Sequence, residues 1–520
     1  MTIRWQWFGR SLVIFGVAVG VIMPLLTVFW RGIGFLDQAT VVRMAQIVVA
    51  TCMQAMLSTV LAVCCAIPIA WAMMRRPGLL ATSAWLAVSV PFVIPTPVAA
   101  TIVTTLCAPQ TWCATVLGLE VPQGLAVVLI AHVWYNSGVL VRFMVDAWQG
   151  IASRYEAAAS TLGATAWRRM VTIIIPLIWP SLLAGMLLVF LYCFGSFGVV
   201  LLLGGGRVPS LEVEIWRQTS QFLRLDIAAT LAIWQLCMSI VLVWVADRMQ
   251  RQIPIAIQIR SLQPVSRGWG WWLACASLLV TVGLYAGPYG LLIVRAWVPN
   301  NWSHAYHLLA LPVRGSGLFV SPLAAVWRSL WIAFMVAILT VCIGWGFTSG
   351  QRWWRRVAMI PLGVSGVTFG LGYILWFGPL GFLHAGWLII MAHVVLALPL
   401  VSRQLTLARD QLGSSHVVVA ATLGASPLRQ WWSVTLPLLR RGFVAAGLFA
   451  FAVSLGDFAA ALLLSRPDTP TAPLFLARLL SRPGATNYAM AAALAVVLII
   501  VCVLVMVGAH LIARPRHLPK

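Results

Sequence analysis

The stretch Glu156–Pro180 reads EAAASTLGATAWRRMVTIIIPLIWP, and Val417–Arg441 repeats its pattern as VVVAATLGASPLRQWWSVTLPLLRR. Gly424 follows Gly163 by 261 residues, and a proline recurs at the same distance. In both copies twelve residues separate the glycine from the proline. Both stretches are polar interruptions of a very hydrophobic chain, so the matched spacing indicates one structural element built twice.

The hydrophobic content around these stretches indicates a membrane protein. Of 520 residues, 62% are hydrophobic and only 9% are charged, and the mean hydropathy is +0.96. Twelve apolar runs are long enough to span a bilayer, which takes about 17–25 residues. Hydrocarbon leaves backbone polar groups no outside partner, so we expect helices. The runs are 11–30, 46–73, 82–107, 123–145, 182–203, 227–247, 271–297, 325–348, 357–378, 385–407, 442–464 and 489–512.

The repeat extends well beyond the opening stretch. Residues 131–133 match 392–394, and 195–197 match 456–458, again 261 positions apart. The sequence therefore predicts an all-α polytopic membrane protein built from two tandem six-helix halves. Because each half has an even number of helices, the halves share one orientation and are related by an axis along the membrane normal.

The positive charge fixes an expected orientation. The net charge is +23, but the basic residues lie in short loops and form no basic domain, which argues against nucleic acid as a partner. With both termini in the cytoplasm, 23 of the 34 basic residues fall on the inner side, as the positive-inside rule requires. The only lysine is Lys520, which excludes a GxxxxGK[ST] phosphate-binding loop. Any ATP-driven work then needs a separate subunit.

The repeated stretch predicts a short helix on the cytoplasmic side. Gly163 lies in its expected middle, where glycine costs about 1 kcal/mol relative to alanine. That cost is tolerated if another surface comes close or if the helix must end there. Pro176 begins the next membrane approach and is expected to set a bend. A helix that lies on the membrane surface without any partner is the alternative.

Asp457 falls inside the predicted eleventh span, 442–464. A carboxylate near the bilayer centre costs about 2.5–3.5 kcal/mol, so it should face a partner or a wet path. It could line a substrate path together with its counterpart Ser196, or it could hydrogen-bond a neighbouring helix.

His132 and His393 occupy matched positions in the fourth and tenth spans. Paired histidines raise the hypothesis of a metal site or proton relay. No carboxylate or cysteine lies at ligand spacing beside either, so a structural role is favoured. Cys107 and Cys113 flank a short outer loop and are either disulfide-bonded or two unrelated thiols.

The repeated pattern resembles the EAA loop of binding-protein-dependent ABC importer permeases: E-A-A, three residues, G, nine residues, an apolar residue, one more, then L-P. Glu156 stands one position before the family's glutamate, and Val418 occupies that position in the second copy. The resemblance implies type I, MetI-like halves whose loop helices dock into a groove on the nucleotide-binding subunit. The candidate coupling residues are Glu156, Ala158, Ala159, Gly163, Pro176, Ala420, Ala421, Gly424 and Pro437.

Residues 196–206 with 212–216, and 454–458 with 473–476, are similar to thiamine permeases of this class. The resemblance implies import of thiamine or its phosphates from a periplasmic binding protein at the outer face. It also implies an inner-membrane location and two ATPase copies at the cytoplasmic face. ATP and Mg²⁺ would then lie on the partner, with no cofactor, metal or catalytic residue on this chain, which would not be an enzyme. The alternatives are a ferric iron permease and, further off, a secondary transporter driven by an ion gradient.

These expectations divide the chain into five parts. They are a first transmembrane helix and outer loop at 1–45, a first ABC transmembrane domain at 46–248 with its coupling helix at 154–170, a linker and seventh helix at 249–320, a second domain at 321–512 with its coupling helix at 415–431, and a cytoplasmic tail at 513–520.

Overall fold

The computed structural model describes twelve segments of the chain. They are residues 16–34, 38–106, 123–151, 153–250, 268–297, 306–312, 320–348, 352–382, 386–412, 415–466, 468–482 and 484–513. The predictions for Cys107, Cys113, most of the linker and almost the whole tail lie outside these segments. Within them the chain is helical and contains no strand, which confirms the all-α prediction.

The first half contributes eleven helices. They are α1 Met23–Gly32, α2 Gln38–Arg75, α3 Leu79–Val93, α4 Thr96–Leu106, α5 Leu125–Gly150, α6 Ser153–Thr161, α7 Ala166–Arg169, α8 Ile175–Phe194, α9 Gly198–Leu203, α10 Leu211–Ser220 and α11 Leu225–Gln250.

The second half repeats the series. Its helices are α12 Trp269–Trp297, α13 Pro322–Thr348, α14 Arg352–Val357, α15 Gly366–Phe377, α16 Trp387–Leu412, α17 Ser415–Thr422, α18 Pro427–Gln430, α19 Leu436–Gly456, α20 Ala459–Leu464, α21 Ala472–Leu480 and α22 Ala485–Ala513.

In the described segments nine helices are long and apolar enough to cross a membrane, and two bent pairs raise that number to eleven. The pairs are α3 with α4, bent by 114°, and the 355–363 segment with α15, bent by 99°. Pro95 lies in the first break, and Pro361 lies three residues before the second; proline disfavours a continuous helix because it removes a backbone donor and clashes with the preceding turn. Two predicted spans are therefore two helices each, although their hydropathy is continuous.

Two other predicted spans have the wrong bounds. Instead of 182–203 and 442–464, the structure has spanning helices over Ala166–Phe194 and Pro427–Gly456. Each begins at the repeated stretch and ends just before the matched residues Ser196 and Asp457, where the chain breaks before a short helix. The apolar residues of α9 and α20 extended the predicted spans past this break.

The first helix of each half packs on the opposite half. Helix α1 lies against α11 of its own half and α15 of the other. Two hydrogen bonds hold this part of the chain. Tyr373 Oη donates to the Gly20 carbonyl in the π-helical turn Ala18–Ile22 just before α1, and Thr230 Oγ1 donates to the Gly32 carbonyl at the end of α1, each at 2.9 Å. Helix α12 likewise packs on α2 and α3, and on α22 of its own half. The halves are thus interlocked.

Short helices close two further contacts between the halves. Helix α10 of the first half packs on α15 of the second, and α21 of the second half packs on α4 of the first. We call the α10–α15 contact the acidic seam and the α21–α4 contact the apolar seam. The repeat relates these two seams to each other, so they are directly comparable.

Candidate functional site

The repeated stretches form two matching exposed turns, which we call the glycine turns, residues 160–165 and 421–426. In the first, helix α6 ends at Gly163, whose φ of +76° lies in the left-handed region that favours glycine. The Gly163 N–H donates to the Ser160 carbonyl (3.0 Å) and the Ala164 N–H to the Ala159 carbonyl (2.9 Å), which closes the helix end. Gly163 therefore does not lie mid-helix, and of the two reasons expected for a glycine here, the structure shows the end of the helix.

The second glycine turn has the same geometry. Gly424 has φ +80°. Its N–H donates to the Ala421 carbonyl and the Ala425 N–H to the Ala420 carbonyl, both at 3.0 Å. A Cβ added at either glycine would meet nothing within 4 Å. Each glycine is thus required by its backbone conformation and not by close packing within this chain.

The glycine turns expose apolar side chains. Leu162 and Leu423, at matched positions, are 87% and 82% exposed. The remaining predicted coupling residues lie around them: Ala158, Ala421, Pro176 and Pro437 are exposed, and Ala159 and Ala420 are half-buried. Glu156 lies in α6, but its side chain is outside the described part of the structure. An exposed leucine at the tip of a rigid turn is suited to insertion into a groove on a partner.

After each turn the spanning helix widens before its proline. A single π-helical turn occurs in each copy, at Met170–Ile174 and at Trp431–Thr435. One residue then separates the turn from Pro176 in the first copy and from Pro437 in the second. Proline offers no N–H and crowds the carbonyl four residues earlier, and the wider turn relieves that conflict. The prolines therefore sit in a continuous helix with a local bulge.

The two matched histidines are buried and link helices. His132 Nδ1 lies 3.1 Å from Gln54 Nε2 and 3.0 Å from Ser58 Oγ, and its Nε2 lies 2.8 Å from Ser196 Oγ. His393 Nδ1 lies 2.8 Å from Ser454 Oγ. His132 thus joins α5 to the chain break after α8. His393 joins α16 to the region of the matching break after α19.

Asp457 completes the second of these links. Its Oδ2 accepts from His393 Nε2 at 3.1 Å and from the N–H groups of Ala460 and Ala461 at 3.1 and 3.2 Å. Contrary to the prediction, Asp457 does not lie within a spanning helix. It follows α19 and caps α20, because a carboxylate at a helix N-terminus satisfies donors that have no partner inside the helix. The pair His393–Asp457 occupies the positions of His132–Ser196.

The residues that follow these polar groups meet between the halves. Phe197 and Phe458, which are also 261 positions apart, stack with ring centroids 5.7 Å apart and are each 3% exposed. Trp216 of α10 extends the row, with its ring 6.2 Å from Phe197. The structure thus brings the two predicted path residues, Ser196 and Asp457, next to an aromatic contact between the halves.

Glu212 is the polar group at the acidic seam that was given no role from the sequence. It is 0% exposed. Its Oε1 accepts a hydrogen bond from Gln235 Nε2, and Oε2 has no partner among the described residues. Gln235 continues the network across the seam, since its Oε1 accepts from Thr368 Oγ1 of the second half at 3.5 Å.

The surroundings of Glu212 disfavour its charged form. Burial raises the pKa of its carboxyl to about 8, and Asp457 of the other half acts in the same direction, while the Gln235 amide and the Ser365 hydroxyl oppose them. Two carboxylates, one from each half, therefore interact electrostatically at the acidic seam. Glu212 could have been found from the sequence, because it is an acidic residue whose matched position in the second copy is Pro473.

In the described segments no group of three or more His, Cys, Asp or Glu side chains is placed to hold a metal ion. The matched histidines lie in separate networks, each with its own partners. A shared metal site between the two rings thus finds no support in their geometry.

A family model described as "Binding-protein-dependent transport system inner membrane component" matches residues 62–258 and again residues 318–516. The chain is 26% identical over 452 residues to the thiamine transport system permease protein ThiP of Escherichia coli strain K12, covering 81% of each chain. It is 26% identical to ThiP of Brucella suis over 76% of this chain and 72% of that one. It is also 30% identical to the molybdenum transport system permease protein ModB of Mycobacterium tuberculosis, over 42% of this chain and 86% of that protein.

Proposed function

The chain belongs to the family of inner membrane components of binding-protein-dependent transport systems, and we propose that it is the permease of an ATP-driven importer of thiamine or its phosphates. It is a multi-pass inner membrane protein, as its apolar helices and its two family matches require. The family assignment alone does not name the cargo, and the proposal adds that the cargo is thiamine or its phosphates.

The observation that carries the proposed cargo is the extent of similarity to thiamine permeases. It covers 81% of both chains in the Escherichia coli relative, so it includes both halves and their contacts. The matched ModB covers only 42% of this chain. Thiamine is an aromatic cation, and the contact between the halves holds the buried Glu212 and the half-buried Asp457 beside stacked aromatic rings.

The partners follow from the glycine turns and from the charge distribution. We infer two ATPase copies, one at each glycine turn, because the two turns have the same geometry and each presents an exposed leucine. The excess of arginine in alternate loops supports a cytoplasmic location for both turns and both termini. ATP and Mg²⁺ would bind on the ATPase, which leaves this chain as the translocation path and not an enzyme.

At the opposite face the periplasmic binding protein would deliver the cargo. The segments 204–226 and 466–488 lie at the other end of the spanning helices from the glycine turns and are matched between the halves. Their short helices α10 and α21 pack across the two seams. A protein that docks on these segments therefore touches the elements that join the halves.

The experiment is uptake of radiolabelled thiamine into proteoliposomes that contain this chain, its ATPase and its binding protein. We expect ATP-dependent uptake by the native importer, and none when the ATPase cannot hydrolyse ATP. The double variant Leu162→Ser/Leu423→Ser should lose at least tenfold of uptake, because both leucines would no longer dock.

Leu79→Ser is the matched control, since Leu79 is 84% exposed and lies outside the repeated stretches. It should leave uptake within about twofold of the native rate, in line with the small effect of most surface substitutions. Absence of thiamine uptake in the native importer would refute the cargo. Full uptake by the double leucine variant would refute the role of the glycine turns.

A further inference from the structure

We propose that the acidic seam contains a transient binding site for an aromatic organic cation, formed by the Glu212 carboxylate and the rings of Trp216 and Phe197. The proposal deepens the proposed function and rests on it for the identity of the cargo. The site would lie at the contact between the halves, beside the Phe197–Phe458 stack.

The first argument is the unsatisfied carboxylate. Glu212 is fully buried, and its Oε2 has no hydrogen-bond partner of normal geometry among the described residues. The nearby Ser365 hydroxyl of the other half acts on this carboxyl but donates to Thr368 Oγ1, and no described arginine forms an ion pair with Glu212. A buried polar atom without a partner costs about 1–3 kcal/mol, more for a charged group. A cation bound against Oε2 would supply the missing partner and would favour the carboxylate form, which burial disfavours when the site is empty.

The second argument comes from the helix face. Glu212 and Trp216 are four residues apart on α10, so they project from the same side. Trp216 reaches Phe197, which in turn stacks on Phe458. A carboxylate beside aromatic faces is the chemistry that binds an aromatic cation, because the rings attract positive charge and stack on the flat ligand.

The third argument is the apolar seam, which closes without any of these groups. There Pro473 stands for Glu212, Ala477 for Trp216, Leu498 for Gln235 and Val98 for Thr368, and all four are buried. Packing of the halves therefore does not require a polar network at this place. The acidic seam has a polar network although burying such a network costs stability. This cost points to a ligand that uses the network.

The network also connects the site to movement of the halves. Gln235, which donates to Glu212, accepts from Thr368 of the other half, and Asp457 of the other half acts on the same carboxyl. Separation of the halves would break the Gln235–Thr368 contact and open the seam.

The test measures binding to the full chain in lipid nanodiscs with two ring-matched probes, the cation N-methylquinolinium and neutral quinoline. We expect the native chain to bind the cation at least tenfold more tightly than quinoline. Glu212→Gln should reduce that preference at least tenfold. Glu214→Gln, the same change two residues away, should keep the preference, because Glu214 is already bonded to Arg217 and Gln218.

A second variant guards against misfolding at Glu212. Trp216→Leu should weaken binding of both probes at least threefold, and it should lower the preference for the cation less than Glu212→Gln does, because Phe197 and the carboxylate remain. An unchanged preference in Glu212→Gln, or no preference in the native chain, would overturn the site. Thiamine uptake in proteoliposomes separates the two proposals: cation binding through Glu212 without thiamine uptake refutes the cargo alone, and thiamine uptake without a Glu212 effect refutes the site alone.

Discussion

Where the first half has Ser196 and Glu212, the second half has Asp457 and Pro473. The backbone around these positions is the same in both halves: a spanning helix, a break, a short helix and a helix that packs across a seam. The polar chemistry is not the same, and the two carboxyl groups come from non-equivalent positions of the repeat. They nevertheless interact at one seam. The repeat thus fixes the backbone, while differences between its copies create a single acidic place between them.

The largest expected effect concerns the Phe197–Phe458 stack, to which each half contributes one ring from a matched position. Phe197→Ala and Phe458→Ala should each lower the free energy of unfolding by about 3–5 kcal/mol, as for other buried phenylalanines. The double variant should lose less than the sum by about 0.5–1.5 kcal/mol, because the rings contact each other. Detergent titration of the purified chain in mixed micelles measures these values.

Phe334→Ala is the control for the stack, since Phe334 is 50% exposed and lies away from the seams. It should change the free energy of unfolding by much less than either buried ring. Strict additivity of the two seam variants would show that the rings do not stabilise each other.

The next effect separates the matched polar positions. Asp457→Ala should cost about 2–3 kcal/mol of unfolding free energy, because it leaves His393 and two N–H groups of α20 without their acceptor. Ser196→Ala should cost about 1 kcal/mol, since one hydrogen bond to His132 is lost. The same titration measures both values.

Asp146→Ala provides the comparison for a carboxylate outside the network. Asp146 pairs with Arg142 on an exposed helix face, where such pairs contribute about 0–1 kcal/mol. Equal losses for Asp457→Ala and Ser196→Ala would contradict the view that Asp457 holds the second break more firmly.

The smallest effect concerns the glycine turns, where the halves should behave alike. Gly163→Ala and Gly424→Ala should each cost about 1 kcal/mol, because an L-residue is strained in the left-handed region. Gly290→Ala is the control, because it makes the same substitution at a glycine without left-handed backbone. Gly290 lies within α12, and nothing is within 4 Å of an added Cβ. The control substitution should be neutral or slightly stabilising. A cost at only one of the two turns would mean that the turns are not equivalent.

Much of the fold follows from the sequence because the repeat and the hydropathy are both strong signals. Spacing alone located the matched glycines and prolines, and the apolar runs indicated the membrane class. Hydropathy could not show the break before Asp457, since the residues of α20 are as apolar as those of α19. The sequence was informative there in a different way, through a Gly-x-Phe element that recurs in both halves.

The contacts between the halves could not be predicted from periodicity. The residues Glu212, Gln235 and Thr368 come from three different helices, and no spacing rule relates them. The bond between His393 and Asp457 was hidden for the same reason, although the equal separation of 64 residues in His132–Ser196 pointed to it. Such contacts depend on how helices are arranged in space, and a single sequence does not show that arrangement.

The first helix of each half packs on the opposite half, and this has a consequence for assembly. Helix α1, together with the π-helical turn before it, is bonded at one end to a helix of the second half and at the other to a helix of the first, and α12 is shared in the corresponding way. Neither half can complete its own bundle from its own residues. During synthesis α1 therefore lacks one of its packing partners until α15 of the second half has been made. Joining the two halves in one polypeptide keeps them at equal number and high local concentration.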